Sequence, residues 1–137
     1  MKTKSQLFSD TVFPNVQAMA GTDKAAKYKT LCKKAGSLVR NSGLMQTLAF
    51  FRARAQKNGE QHHQDLLDQL EQEMRQLNLI ESGKTLYKVV QQAQLPQYMV
   101  LTRETLRLLT WHKRLCETLI ISQQNPPESL TPMEDAS

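Results

Sequence analysis

Apolar residues recur along most of this chain at intervals of three and four, the spacing that places side chains on one face of an α-helix. The composition agrees with this pattern, because 19 Leu and 15 Gln stand against 6 Val and 3 Ile. Leu and Gln favour helices, whereas β-branched residues favour strands. A length of 137 residues suits one domain with its own core. The sequence therefore predicts an all-α fold, a compact single-domain bundle of five or six helices with a disordered C-terminal tail.

Prolines and turn residues divide the chain into three parts. Residues 1–23 are predicted to form a broken helix, because Pro14 interrupts the apolar spacing, and their packing is not predicted. Residues 24–122 are predicted to form the helical bundle, with helices near 24–40, 44–56, 61–79, 86–93 and 96–121. Residues 123–137 lose the apolar pattern and are rich in prolines and acids, which predicts a disordered tail.

Three residues with reactive side chains fall on apolar stripes. His112 lies on the stripe of the last helix, which favours a hydrogen-bonded core histidine over a catalytic one. Cys32 and Cys116 match no metal-ligand spacing, so both are predicted to be reduced core thiols. In the fourth helix, four acids are predicted to make the exposed face negative: Asp65, Asp68, Glu71 and Glu73.

The pair His62 and His63, with Asp65 and Asp68 nearby, is the cluster closest to a metal-ligand pattern. A solvated helix start explains it as well, and we predict no metal site. The sequence also lacks a glycine-rich phosphate loop and a nucleophile elbow. We therefore expect no catalytic residue, no cofactor and no enzymatic activity.

The chain has no apolar run near the roughly 20 residues of a membrane span. Its first residues carry positive charge without the apolar core of a signal peptide. We therefore expect a cytoplasmic protein with no membrane partner.

Charge is distributed unevenly along the chain. Residues 1–60 contain 11 Lys and Arg against 3 acids, a balance of +8, whereas residues 61–137 contain 7 against 10, a balance of −3. A basic part of this kind predicts a polyanion-binding surface, with ordinary solvated surface as the alternative. The basic and acidic parts also suggest a charge match between neighbouring copies.

Helical phase groups many of these cations. In the second helix, Lys29, Lys33 and Arg40 share one shoulder of the polar face, and Lys27 and Lys34 share the other. In the last helix, three arginines lie within about 40° of one another, with Glu104 and Trp111 beside them. These are Arg103, Arg107 and Arg114.

In the third helix, Phe50 lies in line with Arg54 and Lys57. This pattern allows contact with bound RNA. A helix buried on two sides, with its cationic tips reaching solvent, explains the pattern as well.

Two segments resemble a known family. The first runs from Lys27-Tyr28-Lys29-Thr30-Leu31 through Asn41-Ser42-Gly43-Leu44-Met45-Gln46, and continues to Ala49-Phe50-Phe51. The second contains Tyr98-Met99-Val100-Leu101-Thr102-Arg103-Glu104 and Trp111-His112-Lys113-Arg114. Together they resemble the small helical subunit of the Cmr complex, the RNA-targeting effector of type III-B CRISPR systems. The resemblance covers about residues 24–121.

The resemblance implies a small all-α, non-catalytic subunit that stacks in several copies beside the backbone subunits holding the guide RNA. The partners it implies are the other Cmr subunits, especially the backbone subunit, together with guide RNA, target RNA and neighbouring copies of the chain. Cleavage of the target would belong to the backbone subunit. Such a subunit can follow phosphates without reading sequence, because base pairing reads the target.

From charge and helical phase, we predict that an uncompensated positive side of the bundle contacts the phosphates of the guide–target duplex. The residues predicted to bind RNA are Lys29, Lys33, Arg40, Arg52, Arg54, Arg103, Arg107 and Arg114. The main alternative is a protein–protein scaffold whose basic surface docks on acidic patches of the backbone subunit and has little contact with RNA. A subunit of a related DNA-directed effector and a metal-dependent nuclease are further alternatives.

Overall fold

A computed structural model describes residues 1–121 of the chain. Six helices follow one another in this part, with no strand among the described residues. They are α1 (Lys4–Ala20), α2 (Ala25–Ser42), α3 (Leu44–Ala55), α4 (His62–Gln76), α5 (Leu86–Gln92) and α6 (Leu95–Leu119). The predicted all-α bundle is confirmed, and the predicted tail at 123–137 lies outside the described residues.

The break predicted at Pro14 is wrong, because α1 continues through this proline. Proline removes one helical hydrogen bond, but both Pro14 and Asp10, whose carbonyl loses its partner, are exposed to water. On the opposite side of the helix, Val12 and Val16 are fully buried. The burial of these two valines, one before and one after the proline, stabilises the helix by more than the lost hydrogen bond costs. Each buried aliphatic side chain contributes about 1.5–3 kcal/mol.

The helix α1 packs mainly against α6 and also against α4, so the N-terminal segment shares the core of the bundle. Its start is fixed by a capping box, in which Thr3 and Gln6 each accept a hydrogen bond from the other's backbone N–H. The longest helix, α6, contacts both α1 and α2, while α3 packs between α2, α4 and α5.

The apolar stripes predicted for α2, α3, α4 and α6 supply most of the buried core. Cys32 and Cys116 are buried free thiols, which confirms that prediction. Burial raises the pKa of the Cys32 thiol well above its usual value, so this side chain stays protonated and acts as a small apolar group.

One acid of α4 departs from the predicted exposed face. Glu73 is fully buried, and its carboxylate accepts hydrogen bonds from His112 Nε2 at 2.8 Å and from Asn15 Nδ2 at 2.7 Å. His112 Nδ1 lies 2.9 Å from the hydroxyl of Tyr28, which in turn donates to Gln69. The predicted hydrogen-bonded core histidine is therefore confirmed, and its carboxylate partner comes from the face that was predicted to be exposed.

Candidate nucleic-acid interface

The helices α2 and α6 lie side by side and run in opposite directions. Near the start of α2, Lys29 Nζ donates to the carbonyl of Ile120, the C-cap residue of α6, at 2.8 Å. At the other end, the hydroxyl of Tyr98 near the start of α6 accepts a hydrogen bond of 2.9 Å from the backbone N–H of Met45, just after α2. Side chains on the outer edges of the two helices therefore border one surface.

The α2 edge of this surface carries Lys29, Lys33 and Arg40, which lie within about 40° of one another around the helix. Lys29 is half-buried, and its ammonium is bonded to the α6 terminus, so it stabilises the fold through the last carbonyls of a helix. Lys33 and Arg40 are exposed and have no salt-bridge partner within residues 1–121.

The outer face of α6 carries a second basic row, in which two of the arginines share a carboxylate. Glu104 is buried, and its oxygens lie 3.4 Å from nitrogens of both Arg103 and Arg107. Lys4 of α1 reaches the same carboxylate at 3.2 Å. Three cations thus converge on one acid, which leaves a net positive charge but fixes the arginines in place.

Arg114 completes this row at the C-terminal end of α6. It is exposed, and its guanidinium lies 5.7 Å from the centre of the Trp111 ring, a cation–π distance. Lys113, also exposed, lies between the arginine row and the α2 edge by helical phase. Neither residue has a salt-bridge partner in the described part of the chain.

Between the two basic rows, the surface of α6 is apolar. Leu95 and Met99 are 69% and 61% exposed, and Thr102, Leu106 and Thr110 continue the same stripe. We use the name α2–α6 face for this stripe together with the cations around it. These are Lys33 and Arg40 on the α2 side, Arg103, Arg107 and Arg114 on the other side, and Lys113 at the C-terminal end of the stripe.

Arg52 and Arg54, which the sequence grouped with the others, lie elsewhere. They point to opposite sides of α3, about 160° apart by helical phase. The guanidinium of Arg52 lies 4.0 Å over the ring of Tyr87 in α5, whereas Arg54 forms a 3.0 Å ion pair with Glu60. The expectation of one uncompensated positive side is therefore wrong in part. Arg52 and Arg54 lie away from the α2–α6 face, and Lys29 is bonded to the end of α6. Arg54, Arg103 and Arg107 contact carboxylates.

A separate cleft, which the sequence analysis missed, opens between α2, α3 and the turn before α4. It is lined by Lys27, Lys34, Phe50, Arg54, Glu60, His62 and His63, among others. Phe50 is 46% exposed and 5.9 Å from the Arg54 guanidinium, so it is not buried in the core. The ion pair with Arg54 is the main cause that holds the pKa of Glu60 below its usual value.

The histidines at this cleft have partners other than those considered from the sequence. Asp65 pairs with Lys24 at 2.6 Å, and Asp68 accepts a hydrogen bond from Gln64 at 2.8 Å. Instead, Glu60 lies beside both rings, since its carboxylate is 3.9 Å from His62 Nε2 and 3.5 Å from His63 Nδ1. Burial, followed by the charge of His63, lowers the pKa of His62 and keeps its ring neutral.

Comparison with known proteins places this bundle in a family. The family described as "CRISPR-associated protein (Cas_Cmr5)" matches residues 4–119. The chain belongs to this family. A Cas_Cmr5 relative from Thermus thermophilus, named "CRISPR system Cmr subunit Cmr5", is 33% identical over 120 residues, which are 88% of this chain and 98% of the relative.

A solved Cas_Cmr5 structure has the same fold. The X-ray crystal structure of a CRISPR-associated Cmr5 family protein from Thermus thermophilus aligns with a TM-score of 0.73 and 31% identity, over 88% of this chain and all of that one. The family match begins at residue 4, whereas the resemblance in the sequence analysis began near residue 24. The helix α1 is therefore part of the Cas_Cmr5 unit, in agreement with its place in the core. Among residues 1–121, no helix is long and apolar enough to cross a lipid bilayer.

Proposed function

We propose that this chain is a non-catalytic small subunit of a Cmr-type CRISPR ribonucleoprotein effector in the cytoplasm. In this role several copies stack beside the backbone subunits, and each contacts phosphates of the guide or target RNA during antiviral defence. Membership of the Cas_Cmr5 family supports the assignment to the complex, because the similar protein from Thermus thermophilus is named as a Cmr subunit.

The observation that carries the RNA contact is the α2–α6 face. Lys33, Arg40, Lys113 and Arg114 are exposed there, and no salt bridge to a carboxylate within residues 1–121 neutralises them. Cations held on two parallel rows can follow a phosphate backbone without contacting base edges. Such a surface suits an effector in which base pairing with the guide supplies sequence specificity.

Among the eight residues predicted to bind RNA, Lys33, Arg40 and Arg114 are the best candidates, with Lys113 added from the structure. Arg103 and Arg107 are secondary candidates, since Glu104 offsets part of their charge. Lys29, Arg52 and Arg54 already contact a carbonyl, an aromatic ring and a carboxylate, so we assign them structural roles first.

The assembled effector tests this proposal with the double variant Lys33→Glu plus Arg40→Glu. Each phosphate contact that is lost lowers the slope of log affinity against log salt by about 0.7–0.9. We expect weaker retention of target RNA and a shallower salt dependence. Lys57→Glu plus Lys88→Glu is the matched control, because these residues are exposed and lie after α3 and on α5. Equal retention by both double variants across the salt series would remove Lys33 and Arg40 from the RNA interface.

One observation favours a second function, that of a protein scaffold. The stripe of Leu95, Met99 and Leu106 exposes apolar surface that phosphates cannot use, and exposed apolar surface is typical of protein contacts. In that case the basic rows dock on acidic patches of the backbone subunit. The same double variant would then fail to co-purify with the backbone subunit even without target RNA, whereas the RNA proposal predicts normal assembly and weak retention.

A further inference from the structure

Three side chains of types that can bind metal ions meet at the start of α4. Glu60, His62 and His63 each offer a donor atom, and these atoms all lie within 4.8 Å of one another. Both histidines are buried, at 5% and 4% exposure, while the carboxylate of Glu60 is partly accessible. The same three residues line the cleft between α2, α3 and α4, so an ion from solvent can reach them.

The hydrogen bonds of the two rings leave lone pairs available. His63 Nδ1 lies 3.0 Å from the backbone carbonyl of Glu60, and an N–H directed at a carbonyl leaves Nε2 as the basic nitrogen. This arrangement is the usual outer-shell contact of a histidine that binds metal. His62 Nδ1 is buried with no hydrogen-bond partner among the described residues. An unpartnered buried nitrogen costs free energy, which a bound ion would recover.

We propose that Glu60, His62 and His63 form a binding site for a divalent transition-metal ion, with zinc as the best match. Two imidazoles and one carboxylate are ligands that zinc accepts, and three protein ligands leave one position open to water. Zinc bonds of about 2.0–2.1 Å in a tetrahedron require donor atoms about 3.4 Å apart. The donor atoms now lie within 4.8 Å of one another, so they must come closer together when the ion binds.

Nearby cations repel a positively charged metal ion and therefore lower the affinity of the site for it. Arg54 bonds Glu60 at 3.0 Å and orients the carboxylate, and Lys27 donates to the carbonyl of Gly59 at 2.9 Å while acting on His62. Lys34 lines the same cleft. Because Lys27 lies close to the proposed ion, Lys27→Met should tighten binding of the ion. An adventitious surface site elsewhere on the protein would not respond to this substitution.

The test uses the purified full chain with Co²⁺ as a spectroscopic probe and Zn²⁺ as a competitor. We expect one Co²⁺ per chain, with the visible absorption of a four- or five-coordinate site. Glu60→Gln, which keeps the shape of the side chain, and His63→Gln should each weaken binding about tenfold or more. Asp68→Asn is the control, because Asp68 lies more than one helical turn beyond the histidines and, within residues 1–121, its side chain bonds Gln64 alone.

Circular dichroism checks that each variant is folded before titration. If the His63→Gln variant unfolds, Glu60→Gln alone tests the proposal. Lack of a Co²⁺ spectrum at millimolar ion, or equal affinity in Glu60→Gln and Asp68→Asn, would overturn the proposal. A sulfur-to-metal charge-transfer band would also overturn it, because that band would place the ion on Cys32 and Cys116.

Discussion

His112 Nε2 lies 2.8 Å from a carboxylate oxygen of Glu73, and neither side chain is accessible to solvent. The pair joins α4 to α6 across 39 residues of sequence. Asn15 of α1 donates to the same carboxylate, and Tyr28 of α2 contacts the other nitrogen of the imidazole. Four helices are therefore linked through one polar network. Tyr28, Glu73 and His112 at its centre are fully buried, so water cannot replace a partner that is lost there.

Truncation of Glu73 should lower the free energy of unfolding by more than a substitution at an exposed surface residue does. Glu73→Ala leaves His112 and Asn15 without their acceptor, and loss of one partner from a buried pair costs about 3–5 kcal/mol. Tyr28→Phe removes only a hydroxyl and should cost about 1–3 kcal/mol. Urea unfolding followed by circular dichroism measures both free energies. A loss below about 1 kcal/mol for Glu73→Ala, which is the size of one ordinary hydrogen bond, would show that the network contributes little.

Substitution of alanine for each of two glycines should change the stability of the protein in opposite directions. Gly43 joins α2 to α3 with φ of 87° and ψ of 158°, a conformation used almost only by glycine, so Gly43→Ala should cost about 1–3 kcal/mol. Gly36 lies inside α2, and an added Cβ meets only the end of Arg40 at 3.5 Å. Gly36→Ala should therefore stabilise the protein by about 0.5–1 kcal/mol. Thermal melts of the two variants compare the signs directly, and a loss of stability in Gly36→Ala would contradict the packing around α2.

Substitutions of Lys29 and Lys33 compare a lysine that is bonded within the fold with one that is exposed. Lys29→Met removes the bond to the carbonyl of Ile120 and should lower the free energy of unfolding by about 1 kcal/mol. Lys33→Met removes no contact of this kind and should change stability by less than about 0.5 kcal/mol. Chemical unfolding of the isolated chain checks both values. Equal values for the two variants would mean that the contact with the α6 terminus is not stabilising.

Glu104 should control how much charge the arginine row presents. Glu104→Gln leaves Lys4, Arg103 and Arg107 without their shared carboxylate, so we expect a loss of about 1–3 kcal/mol in stability. If the row contacts phosphates as proposed, the same variant should retain target RNA at higher salt in the assembled effector. Glu81→Gln is the control, since it makes the same change in net charge at an exposed turn away from the row. Identical salt dependence in the two variants would remove the arginine row from the interface.

The sequence predicted the bundle well because local information decides it. Apolar spacing placed the stripes, and the boundary predicted between residues 40 and 44 lies at the turn between α2 and α3. Pro14 shows the limit of local rules, because only the packing of α1 against α6 explains why the helix continues through it. Glu73 was placed on the exposed face for its charge, yet by helical phase it lies about 20° from Leu66 on the buried stripe. Helical phase predicts the burial of Glu73 better than its charge does. The sequence of α4 alone does not reveal that His112 of α6 is its partner.

The candidate interface was harder to predict than the fold. Helical phase correctly grouped Lys33 with Arg40, and Arg103 with Arg107, because each group lies on one helix. It could not reveal that Arg54 meets Glu60 across a turn, or that Lys4 reaches Glu104 across 100 residues of sequence. Contacts between helices decide which cations are compensated, and a single helix carries no information about them.

The most direct test of the central claim is photocrosslinking in the assembled effector, with a photoreactive residue at position 33, 40 or 113, and at position 88 as the control. The account predicts crosslinks to guide or target RNA from the first three positions and none from the fourth. Crosslinks from positions 33, 40 and 113 to protein subunits alone would contradict it.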